Sequence, residues 1–81
     1  MKTIKFHGVE LPESIYIDGK KHRLIITFHT GKPTPQYIYE NPENKYKSLH
    51  NLLFPNEKTL RKTLIGLRNY LISKNYFNPE Q

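Results

Sequence analysis

The stretch Ile15-Tyr16-Ile17-Asp18-Gly19-Lys20-Lys21-His22-Arg23-Leu24-Ile25-Ile26-Thr27-Phe28 decides the fold. Apolar residues alternate on both sides of Asp18-Gly19, and a period of two marks strands with one buried face. Asp-Gly is a strong hairpin signal because a tight type I′ turn needs positive φ at both central positions. A loop of two residues (Asp18-Gly19) or of four (Asp18 to Lys21) puts Ile15 and Ile17 on the same side as Leu24, Ile26 and Phe28. The opposite side then displays Tyr16, Lys21, Arg23, Ile25 and Thr27, with Tyr37 and Tyr39 joining it if Ile38 points inward.

Working outward from the hairpin, Ile4 and Phe6 share one face of a strand over about residues 2–6. The hairpin itself predicts strands over about 14–17 and 22–29. Pro33 and Pro35 lack amide donors, so the segment Thr30 to Pro35 cannot join a central ladder; it leads into a short strand over about 36–40.

The second half reads as helical. Asn41-Pro42-Glu43 supplies an N-cap, a proline at the first helical position and an acid in the first turn, predicting a short helix over about 42–53. Leu60, Leu64, Leu67 and Leu71 then recur on one narrow stripe, predicting a long C-terminal helix over about 56–75, before Asn78-Pro79 blocks continuation. Gly66, alone in that helix, implies close approach of another element. The expected fold is α+β: a small antiparallel sheet of three or four strands packed by two helices in a single domain spanning 1–81.

Net charge is +6, and its distribution is uneven. Between Asn44 and Lys74 stand Lys45, Lys47, Lys58, Arg61, Lys62, Arg68 and Lys74, with Glu57 the only acid. Residues 1–43 are nearly balanced, so the C-terminal part is the expected contact surface for a polyanion. There are no cysteines, hence no disulfide framework or thiolate metal site, which fits a reducing, cytoplasmic setting. No apolar run is long enough for a membrane span. The richness in Lys, Asn, Tyr and Ile, residues with AT-rich codons, suggests an AT-rich genome, and size together with composition suggests a phage or mobile-element origin.

On a helical wheel Arg61 and Arg68 lie at one edge of the leucine stripe, with Lys58 and Lys62 further round and Ile65 and Ile72 among them. Cations interleaved with branched apolar groups suit a groove-docking face, in which phosphate contacts supply affinity. The outer sheet face offers a second surface, where Lys21 and Arg23 stand with Tyr16, Tyr37 and Tyr39 as stacking groups. The expectation is a small nucleic-acid-binding protein, duplex DNA ahead of RNA, with Lys21, Arg23, Lys45, Lys47, Lys58, Arg61, Lys62 and Arg68 as contacts. The competing expectation is an inhibitor or adaptor that grips an acidic protein through the same cations, with Ile65 or Tyr37 as its anchor.

The order of elements, a three-stranded sheet and then a long packing helix, resembles AP2-type and integrase N-terminal DNA-binding domains. In those families the sheet reads the major groove; the resemblance lies in element order and carries over no site residue. A helix-turn-helix built from the two helices around Phe54-Pro55-Asn56 is the alternative geometry, weakened by the lack of a third helix and of a turn glycine.

No catalytic residue, metal ligand or cofactor is expected. His7, His22, His29 and His50 are not at helical metal-ligand spacings, and the acids show no pair spacing for acid–base work. The one enzymatic alternative is RNA cleavage, with His29 beside Arg23 and Tyr37.

Overall fold

The computed structural model describes residues 2–32, 34–44, 47–50 and 58–79. Along the chain run β1 (Thr3–Phe6), β2 (Val9–Pro12), β3 (Ser14–Ile17), β4 (Lys20–Thr27), β5 (Gln36–Glu40), β6 (Leu49–His50) and α1 (Leu60–Ser73). All strand pairs are antiparallel, in a two-stranded sheet β1-β2 and a four-stranded sheet ordered β3-β4-β5-β6.

The register settles the length of the central turn. Ile17 pairs with Lys20, so Asp18 and Gly19 alone make the turn, at φ 52° and 76°, the left-handed values a type I′ hairpin requires. Ile15 therefore opposes His22; Ile15 and Leu24 are buried on one face, as the alternation predicted, and His22 is buried beside them, which it did not predict. β4 stops at Thr27, whose pair Gln36 ends the ladder. Phe28 and His29, expected within the strand, lie beyond it.

The hairpin β1-β2 contains a strand the sequence reading overlooked. His7 and Gly8 turn the chain at φ 50° and 78°, bringing Phe6 opposite Val9 and Ile4 opposite Leu11. Glu13 joins this hairpin to the main sheet through its backbone: its N–H donates to the Lys2 carbonyl, and its own carbonyl accepts from the Leu24 N–H, both at 2.9 Å.

One core forms between the hairpin, the sheet and α1. Val9, Leu11, Ile15, Leu24, Tyr37 and Tyr39 meet Leu60, Leu64, Leu71 and Phe77, with Ile65, Leu67 and Ile72 half-buried against them. Fully buried leucines such as Leu64 and Leu71 each contribute roughly 1.5–3 kcal/mol of burial free energy. After α1 the chain closes in a Schellman motif around Asn75 at φ 62°. The Tyr76 N–H donates to the Leu71 carbonyl at 2.9 Å and the Asn75 N–H to that of Ile72 at 3.0 Å. This turn returns Phe77 to the core.

Three expectations need correction. The short helix over 42–53 is replaced, in its described part, by a turn and a strand. The cap chemistry is present, since Asn41 Oδ1 accepts from the N–H groups of Glu43 and Asn44 at 2.9 and 3.1 Å. Among the described residues no α-helix follows, because Leu49 and His50 pair with Tyr39 and Ile38 and satisfy the outer edge of β5. Residues 45, 46 and 51–53 of that expected helix lie outside the described residues, as do 56 and 57 of the long one. The long helix is also shorter than expected, with Thr59 as its N-cap and no side-chain cap bond.

Second, Tyr37 and Tyr39 face the core. Tyr39 pairs with Leu24 and Tyr37 with Ile26, which fixes them on the inner face at 0% and 3% exposure. Ile38 takes the outer face beside Ile25, yet is only 7% exposed and stands apart from the main core cluster. Third, Gly66 is exposed, and among the described residues a Cβ built there would meet nothing within 4 Å, so none of the described elements approaches it.

Candidate nucleic-acid interface

α1 packs on the inner sheet face through Leu60, Leu64 and Leu71, so the opposite side of the helix carries its charges to solvent. Arg61 and Lys62 are exposed in the first turn, and Lys58 is exposed just before it. That turn has no acid, so the partial positive charge of the helix N-terminus adds to the side-chain charges instead of being offset. Seven positions separate Arg61 from Arg68, which at about 100° per residue puts them within roughly 20° of each other on the wheel. Arg68 is half-buried, its guanidinium carbon 5.9 Å from the centre of the Phe77 ring. That cation–π contact fixes where its charge is presented. Among the described residues, Lys58, Arg61 and Lys62 have no carboxylate partner.

Ile65 and Ile72 lie on the same side of α1 as Arg61 and Arg68, but both pack against the core cluster and are half-buried. Ile65 is thus a packing residue at the margin of the cationic stripe, not a protruding anchor.

Lys21 and Arg23 stand on the other side of the molecule. They are exposed on the outer face of β4, opposite the face whose Leu24 joins the core cluster with α1. With Lys2, Glu13, Ser14, Ile25, Glu40 and Pro42 they line an open groove of about 830 Å³. Arg23 lies between Ser14 and Glu40 on the neighbouring strands, and Glu13 adds a second acid. Mixed charge makes this groove a weaker match to a polyanion than the acid-free turn of α1. Tyr16, 62% exposed, is the one predicted tyrosine that reaches solvent on this face.

Lys47 lies elsewhere again, lining a smaller hollow of about 270 Å³ with Ile17, Asp18, Lys20, His22, Asn41, Glu43 and Asn44. Lys20 Nζ pairs with Glu43 Oε2 at 3.0 Å at this end of the sheet. Lys45 lies outside the described residues.

The histidines divide by environment. His22 is buried to 2% exposure, and its Nδ1 lies 2.8 Å from the Lys20 carbonyl oxygen. A carbonyl only accepts, so Nδ1 carries a proton and His22 serves as a hydrogen-bonded core residue. His29 Nε2 meets Thr27 Oγ1 at 3.2 Å. The trio His29, Arg23 and Tyr37 is not brought together, because Tyr37 points into the core and Arg23 away from it. Burial raises the Tyr37 hydroxyl above its ordinary pKa of 10.0, and raises Tyr39 further. Among the described residues no three His, Cys, Asp or Glu side chains cluster as a metal site.

No family model, curated protein or solved structure matches this chain. The likeness in element order to AP2-type and integrase N-terminal domains therefore carries no argument here. Among the described residues no helix is long and apolar enough to cross a membrane.

One exposed group escaped the sequence reading. Phe28, assigned to the core face by its spacing, is 81% exposed because β4 ends one residue before it.

Proposed function

We propose that the protein binds nucleic acid, with α1 lying along the phosphate backbone and Lys58, Arg61, Lys62 and Arg68 as its contacts. The observation that carries this reading is the first turn of α1, where Arg61 and Lys62 stand exposed without an acid. Cations at a helix N-terminus oppose the macrodipole at a cost of about 0.3–1 kcal/mol each. A bound polyanion reverses that cost, whereas a merely solvated helix face would gain from acids at these positions. Duplex DNA stands ahead of duplex RNA, since the B-form major groove admits a helix and the A-form groove is too narrow. A cytoplasmic setting accords with this reading.

The test is fluorescence anisotropy of labelled DNA and RNA across several salt concentrations. Four neutralised phosphates correspond to a slope of log affinity against log salt of about −3 to −4. Arg61→Ala and Lys62→Ala should each make that slope shallower by about one. Weak binding that vanishes near physiological salt would overturn the reading and leave the cations for an acidic protein surface.

A further inference from the structure

Phe28 is the most exposed large hydrophobic side chain among the described residues. A phenylalanine left in water forgoes roughly 1.5–3 kcal/mol of burial free energy, a large sum for a chain of 81 residues. It stands at 81% exposure just past the last ladder pair, and Ile26, two positions earlier on the same face, is 38% exposed. The turn that carries it is braced. Thr27 Oγ1 contacts His29 Nε2 at 3.2 Å, the Lys32 N–H donates to the His29 carbonyl at 3.1 Å, and Gly31 takes the left-handed φ of 80° that reverses the chain. Thr34, buried at 3%, anchors the returning side.

Charge decides what such a ring can meet. From Thr27 to Gln36 the sequence contains no Asp or Glu, and Lys32 is exposed in the same turn as Phe28. A second copy of the chain would bring like charge against like, at a net charge of +6 per copy. A nucleobase brings a π-face for the ring and a phosphate for the lysine.

We infer that Phe28 stacks on an unpaired base of the bound nucleic acid, with Lys32 of the same turn contacting the adjoining phosphate. The inference rests on the nucleic-acid reading of α1 and narrows it to substrates that join a paired segment to unpaired nucleotides: a hairpin loop, a bulge or a single-stranded tail. Paired bases are stacked on both faces and offer the ring no site without unstacking.

The experiment uses the full chain and three labelled probes that share one stem sequence: a blunt duplex, the same duplex with a single-stranded tail, and a hairpin. Phe28→Ala should weaken binding to the tailed and hairpin probes about 5- to 150-fold and leave the blunt duplex within about twofold. The chain contains no tryptophan, so Phe28→Trp installs one fluorophore, whose emission should be quenched by the tailed probe and not by the blunt duplex. Phe28 is exposed and is not part of the core cluster, and circular dichroism of both variants checks that they fold. Equal affinity of wild type and Phe28→Ala for the tailed probe, or an equal loss on the blunt duplex, overturns the inference while leaving the α1 reading intact. A wild type that binds none of the three probes overturns both.

Discussion

The hydroxyl of Tyr39 donates a 2.8 Å hydrogen bond to the carbonyl oxygen of Pro12, tying the middle of the main sheet to the end of the β1-β2 hairpin. Both residues are fully buried. Tyr39→Phe leaves that carbonyl without its partner, at a cost of about 1–3 kcal/mol, measurable as a lower urea midpoint at unchanged m-value.

The same residue sets a pH dependence. Burial raises the Tyr39 hydroxyl above its ordinary pKa of 10.0, so the folded state holds this proton more tightly than the unfolded chain. The stabilisation is complete below pH 10 and declines as pH rises beyond it. Tyr37, raised in the same direction by burial, adds to the decline. Urea titrations at pH 8 and pH 11 should show wild type losing more stability than Tyr39→Phe, since lysine deprotonation is common to both. An equal loss would remove the hydroxyl as its source.

Gly66→Ala should stabilise the protein by up to about 1 kcal/mol. The position is helical and exposed, and the added Cβ meets nothing within 4 Å. For a chain of this size that corresponds to a melting temperature about 4–8 °C higher. A lower melting temperature would mean that something packs on this side of α1 after all.

Ile65→Asp should behave as a core lesion. Ile65 is half-buried against the cluster built on Leu60, Leu64 and Leu71, so a carboxylate there loses apolar contact and needs hydration. Differential scanning calorimetry should record a loss of about 1–3 kcal/mol in the free protein. Unchanged stability would restore Ile65 as a surface anchor.

The two basic surfaces can be told apart by mutation. Lys21→Ala with Arg23→Ala should leave duplex affinity within about twofold, while Arg61→Ala with Lys62→Ala reduces it and flattens its salt dependence. The first pair faces away from α1 and shares its groove with Glu13 and Glu40. If instead the sheet pair carries the larger effect, the strand of nucleic acid runs across the outer face and the helix assignment falls.

What the sequence made legible was local. Asp18-Gly19 announces its own turn, and Leu60, Leu64, Leu67 and Leu71 announce their stripe, because both signals lie within a few residues of chain. What escaped was set by distant partners. The cap at Asn41 forms, yet the chain after it goes to the edge of β5, which no reading of residues 41–50 alone reveals. In Gln36–Glu40, Tyr-Ile-Tyr is apolar on both faces, so alternation could not say which face turned inward. β2 is four residues long, and its turn has histidine where Asn or Asp is usual. At the candidate interface the cations were readable from composition, and strand alternation placed Lys21 and Arg23 on the outer face; the exposure of Phe28 depends on where β4 stops.

Glu13 contributes to this molecule chiefly through its peptide groups, one bonded to Lys2 and the other to Leu24. The hairpin and the sheet therefore share a seam: opening one exposes a buried amide of the other. Hydrogen exchange at the amides of Glu13 and Leu24 should report a single opening event with a common free energy, so that the N-terminal hairpin melts with the sheet and not ahead of it.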